Sequence, residues 1–72
     1  MNDILISTEK KNNKIYLFCK NAIIEFEIFK DDTVESIFYE MKNENLNIVN
    51  INFLKLSLNI FLKPNNRIYK IT

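Results

Sequence analysis

Histidine and glycine are absent from this chain, and cysteine and proline occur once each. Each absence closes a route. A lone cysteine, Cys19, cannot form an internal disulfide, and without histidine no zinc-ligand set can be assembled from Cys and His. The same gap removes the imidazole that activates serine and cysteine nucleophiles. There is no Gly-rich phosphate loop, no H-E-x-x-H and no C-x-x-C. An enzyme is therefore not expected, nor a metal or cofactor. An excess of one charge is missing too: ten basic residues face nine acidic ones, for a net charge of +1. That removes the prior for nucleic acid or an anionic membrane that a strongly basic chain would give. No apolar run approaches the ~20 residues of a membrane span. The opening "MNDILISTEKKNNK" lacks the basic and apolar regions of a signal peptide. There is no N-x-S/T sequon. One free thiol and no export signal predict a reducing cytoplasm, of the source cell or of an infected host.

What remains is a small chain with a high apolar content. Its 72 residues predict one domain over 1–72, and chains this short are marginally stable without a dense core or a partner. Hydrophobic residues make up 47%, with six Phe and three Tyr, which supports a core and argues against disorder. Twelve Ile, twelve Asn and nine Lys against a single Ala and a single Arg follow AT-rich coding. The skew has a structural consequence. With no glycine, every backbone position of positive φ falls to Asn or Asp, the other residues that tolerate it best, so the Asn pairs mark turns.

Ile4–Ser7 reads as a strand, "EKKNNK" (9–14) as a turn, Ile15–Lys20 as a strand and "KNA" (20–22) as a tight reversal. In 23–29, Ile24, Phe26 and Ile28 alternate with Glu25 and Glu27, the pattern of a strand with one wet face. A helix is expected over about 33–44. Asp32 suits the N-cap with Glu35 at N3, and Val34, Ile37, Phe38 and Met41 form one apolar stripe. Asn43 or Asn45 suits the stop. Residues 45–52 read as a loop or short extended connection. In "LKLSLNIFLK" (54–63), Leu54, Leu56, Leu58, Ile60 and Leu62 alternate with the residues between them, which favours a strand; a helix through Leu54, Leu58, Phe61 and Leu62 is the alternative, because Leu is a good helix former. "KPNNR" is a turn, and Arg67–Thr72 closes as a strand. The fold class expected is α+β: about five mostly antiparallel strands packed on one α-helix, ordered β-β-β-α-β-β.

The segment "IIEFEIFKDDTVESIFYEMKNEN" resembles the second strand and helix of ubiquitin-like, β-grasp proteins, through the start Asp32-Thr33-Val34-Glu35 and the aliphatic Ile37. "KIYLFCKN" looks like that family's first strand, and "RIYKIT" could be its last. The resemblance implies a scaffold that binds proteins through a sheet face or edge. The chain departs from the family in ending "YKIT" without a Gly-Gly tail, which removes support for conjugation or sulfur carriage. Its 46–66 segment is short, and residues 1–13 add a strand-like piece.

The candidate chemical groups each have a plain structural reading. Cys19 shares a strand face with Ile15 and Leu17 and is expected in the core. Glu25 and Glu27, with Asp31 and Asp32 beyond, read as a solvated face and a helix cap rather than an acid–base pair or cation site. Lys10, Lys11 and Lys14 form a basic loop; Lys55, Lys63, Arg67 and Lys70 form a second group. With Tyr16, Phe18, Phe61 and Tyr69 outward they would make a stacking surface for single-stranded nucleic acid, but lysines also solvate sheets and guard edges. Nucleic acid is accordingly not expected as a direct partner. Ile23, Phe29, Tyr39 and Phe61 fall off the expected core faces. They suggest a protein interface or self-association, unless both sheet faces are covered, for example by the N-terminal strand.

The function expected is a non-enzymatic protein-binding module. The partner would be a larger protein or ribonucleoprotein complex, with a homodimer as another outcome, and no membrane. Small size, AT-rich coding and missing catalytic groups fit a stoichiometric inhibitor from a phage or mobile element acting on a bacterial defence protein, as anti-CRISPR proteins do. The alternatives are a ubiquitin-like adaptor domain without conjugation and a small nucleic-acid-binding protein. The candidate contact residues are Ile23, Phe29, Tyr39, Phe61, Tyr69, Lys10, Lys11 and Lys14.

Overall fold

The computed structural model describes residues 2–63. The expected turn at 63–67 lies outside them beyond Lys63, as does the strand Arg67–Thr72 with Arg67, Tyr69 and Lys70. The described residues form an α+β fold. Its elements are β1 (Asn2–Asp3), β2 (Leu5–Lys11), β3 (Lys14–Cys19), β4 (Ile23–Glu27), α1 (Val34–Asn43), β5 (Asn47–Ile48) and α2 (Ile51–Phe61).

Strands β2, β3 and β4 make an antiparallel sheet in that order, and β1 pairs with β5 in a short parallel ladder. The Asn-for-Gly reading holds where it matters. Lys11 pairs with Lys14 across a two-residue loop, and Asn12, its first residue, takes φ 55, as such hairpins require. Strand β2 is longer than expected because this loop needs only Asn12 and Asn13. Register slips between Leu5 and Ser7, a bulge that leaves Ile6 exposed.

Alternation along β3 and β4 buries Ile15, Leu17, Ile24 and Phe26 on one face. Both helices contribute to the same core, α1 through Ile37 and Met41, and α2 through Leu54 and Leu58, with Leu62 just beyond it. Helix α1 begins one residue later than Asp32 at the cap would require. Thr33 is the N-cap: its Oγ1 accepts from the Ser36 N–H at 3.2 Å, and Ser36 Oγ accepts from the Thr33 N–H at 2.8 Å. Ser36, not Glu35, closes the capping box, because the box counts from Thr33. Asp32 instead accepts from the Phe29 N–H at 2.8 Å and the Ser36 hydroxyl at 3.2 Å. At the other end Asn45 takes φ 58. Its N–H reaches the Lys42 carbonyl at 3.0 Å and that of Leu46 reaches Met41 at 2.9 Å, a Schellman stop.

The strand expected over 54–63 is a helix. Leu54, Leu58 and Leu62 recur every fourth residue and are all buried, whereas Leu56 and Ile60 are exposed. Alternation in sequence is satisfied equally by a helix whose apolar residues occupy two stripes, and leucine favours that choice. The buried Ser57 hydroxyl accepts from Thr8 Oγ1 of β2 at 3.1 Å, which fixes α2 against that strand.

Two polar residues tie the ends of the fold together. Asp3 is buried and accepts from the backbone N–H groups of Ile4 (2.8 Å) and Asn21 (3.1 Å) and from the Asn21 amide (3.2 Å). Its carbonyl takes the Val49 N–H at 2.8 Å. Asn50, the residue before α2, turns its side chain away from the helix and onto the backbone of Leu5.

Candidate protein-contact surface

The sequence-derived contact residues do not form one patch. Ile23, Phe29 and Tyr39 are exposed by 62% to 68%, but on different elements: the outer sheet face, the loop after β4, and α1. Phe61 corrects the expectation, because it is half-buried and packs against the core from the last turn of α2. It lines an open cleft of about 250 Å³ with Lys10, Ile28, Phe29 and Leu62. Lys10 and Lys11 are exposed. Tyr69 lies outside the described residues.

The lysines separate as well. Neighbours on a strand point to opposite faces, so Lys10 and Lys11 diverge. Lys11 and Lys14 share the outer face with Glu9, Glu25 and Glu27. Lys14 Nζ bonds Glu25 Oε2 at 2.7 Å. That hydrogen bond, and then the carboxylate's charge, raise the Lys14 pKa above its ordinary value. A face whose ammonium groups are matched by carboxylates offers a phosphate backbone little attraction.

At the centre of this face Tyr16 and Phe18 stack, with ring centroids 6.3 Å apart and planes inclined by 20°. Phe18 lies opposite Ile23 on β4. Together with Glu9 and Lys11 they line a shallow depression of about 360 Å³. No N-terminal strand covers it, because β2 joins the sheet edge-on instead of lying across it.

Among the described residues the largest run of exposed apolar residues lies elsewhere. Val49, Ile51, Phe53, Leu56 and Ile60 are all exposed, Leu56 and Ile60 by 61% each. Phe53, Leu56 and Ile60 recur at spacings of three and four, a second stripe on the side of α2 opposite the buried one. Sequence reasoning missed it because a strand would send Leu56 and Ile60 to the same face as Leu54 and Leu58. Testing 51–61 against helical spacing would have found it.

The Cys19 thiol is half-buried and donates to the Leu17 carbonyl at 3.8 Å. Burial, and then the charge of Asp3, push its pKa up, away from the thiolate that a nucleophile needs. Among the described residues no group of His, Cys, Asp and Glu has the arrangement of a metal site. No helix among them is long and apolar enough to cross a membrane. No family model matches the chain, and no curated protein or solved structure matches it.

Proposed function

We propose that this chain is a non-enzymatic protein-binding module and that α2 supplies its principal contact. The observation that carries the reading is the exposed apolar stripe of Phe53, Leu56 and Ile60 on an element whose other face already fills the core. Helices that are apolar on most sides are normally covered, and large exposed apolar patches mark interaction sites. The outer face of the sheet, with its balanced charges around Tyr16 and Phe18, favours protein over nucleic acid for the same reason that it repels neither sign strongly. The narrower proposal is a stoichiometric inhibitor that covers a surface of a bacterial defence complex; small size and AT-rich coding support it.

Capture of partners from host lysate by the tagged chain tests the reading, with nuclease added to half of the sample. A stoichiometric protein partner is expected to survive nuclease and to be lost with Leu56→Asp or Ile60→Asp. Recovery that disappears with nuclease and persists in both variants would overturn it. The narrower proposal is checked by adding the chain to the captured complex: activity should fall to zero at equimolar ratio, and unchanged activity would refute inhibition.

A further inference from the structure

We infer that the free edge of β4 is a docking site for an extended basic segment of another protein. This rests on the protein-binding reading but concerns a different surface from α2. The argument begins with hydrogen bonds. The Ile28 N–H donates to the Asn13 carbonyl at 2.6 Å, and the Cys19 N–H donates to the Ala22 carbonyl at 2.8 Å. Antiparallel ladders alternate bonded and non-bonded pairs, so between these two the bonded pairs are Ile15 with Phe26 and Leu17 with Ile24. Ile23, Glu25 and Glu27 therefore turn their N–H and C=O groups away from β3. Among the described residues strand β4 is the last in its sheet, and those groups have no hydrogen-bond partner there.

The two edges of the sheet are treated differently. On β2, the Asn50 side-chain amide occupies both polar groups of Leu5. Among the described residues no comparable side-chain bond reaches the backbone of Ile23, Glu25 or Glu27. An open row of donors and acceptors is a template for another strand.

Charge selects the occupant. Full-length antiparallel pairing of β4 with a second copy would set Glu25 against Glu25, and a slide towards the C-terminal end would set it against Glu27. Like charges directly opposite are unfavourable, which disfavours self-pairing. A foreign strand meets Ile23, Glu25 and Glu27 on the outer face. Glu25 already holds Lys14 by a hydrogen bond, whereas Glu27 accepts from the neutral Asn13 amide at 3.2 Å and feels the Lys14 charge more weakly. Lys or Arg opposite the glutamates completes this row. The alternate residues continue the buried row of Ile24 and Phe26 and are apolar. The fitting ligand is a segment of alternating basic and aliphatic residues in extended conformation.

The test is titration of the isotope-labelled chain with a short capped peptide of alternating valine and lysine, followed by amide resonances. The N–H signals of Ile23, Glu25 and Glu27 should shift most and become protected from exchange; those of Ile24 and Phe26, already bonded to β3, should move less. Methylating alternate backbone nitrogens of the peptide should weaken binding by about tenfold or more, since each lost bond is worth roughly a kilocalorie per mole. The Glu25→Lys/Glu27→Lys variant, with its fold checked by the same spectrum, should lose the lysine peptide and gain a valine–glutamate one. Absence of a response at Ile23, Glu25 and Glu27 overturns the assignment, as does equal binding of the methylated peptide. Shifts confined to α2 or to Tyr16 and Phe18 also overturn the edge site while leaving the protein-binding reading standing. That reading fails separately, if lysate capture yields no protein partner.

Discussion

Asn50 holds both backbone polar groups of Leu5, accepting from its N–H and donating to its C=O, each at 2.9 Å. A single side-chain amide thus acts as one residue of a missing strand and joins the start of α2 to the start of β2. Replacing it leaves two part-buried groups without partners. Asn50→Ala should therefore cost about 1–3 kcal/mol, read as a lower urea midpoint with unchanged slope. Asn50→Asp, which keeps the acceptor and faces the Leu5 carbonyl with a second oxygen, should cost at least as much. An unchanged midpoint in both variants would mean that water replaces the amide without loss.

The N-terminal cap of α1 gives a sharper comparison. Thr33→Ala removes the acceptor for the Ser36 N–H and should destabilise by about 1 kcal/mol. Glu35→Ala removes a charge from the first turn but no bond of the capping box, and should stay within about 0.5 kcal/mol of the parent. The reverse order in thermal melts would restore Asp32 and Glu35 as the capping pair.

Alanine substitutions along 54–62 distinguish the helix from the strand that alternation suggested. Leu54→Ala and Leu58→Ala each empty a fully buried site and should cost about 2–5 kcal/mol. Leu56→Ala and Ile60→Ala alter exposed positions and should change stability by no more than about 0.5 kcal/mol. A strand would make all four costly. Denaturant titration of the set decides it.

Cys19 and Lys14 set the alkaline behaviour. Burial raises the folded thiol above the unfolded value of about 8.5, so from there upward the native chain holds a proton that the unfolded chain has released. Stability then falls as pH rises. Cys19→Ser should flatten that decline. Lys14, whose pKa is also raised, contributes below the unfolded lysine value and loses that contribution as pH climbs through the folded one. Being exposed, it adds little, and salt should remove it. The same raised thiol should react with iodoacetamide at neutral pH more slowly than cysteine in the unfolded chain. Faster reaction would contradict the burial.

Local rules made part of this fold legible. With no glycine available, positive φ had to go to asparagine, and Asn12 and Asn45 take it. The alternation in 23–28 fixed which side of β4 is wet, because a strand has only two faces. The stripe of α1 was readable because no strand accounts for a spacing of three and four. The cap was misplaced by one residue because Asp32 and Thr33 are both good caps, and the bonds made by Ser36 select Thr33.

Tertiary structure decided the rest. The segment Leu54–Leu62 satisfies both periods, and leucine's preference for helix together with the sheet's inner face, which needs a covering element, made it a helix. That choice placed Leu56 and Ile60 outside and Phe61 inside. The exposed stripe followed from it: Phe53, Leu56 and Ile60 share one side of α2, whereas the residues expected from the sequence are scattered over the sheet, a loop and both helices. Composition by itself determined which residues could take positive φ, and Asn12 and Asn45 take it. Which apolar residues remain exposed depends on how much of each face its neighbours cover, and that is a property of the packed molecule.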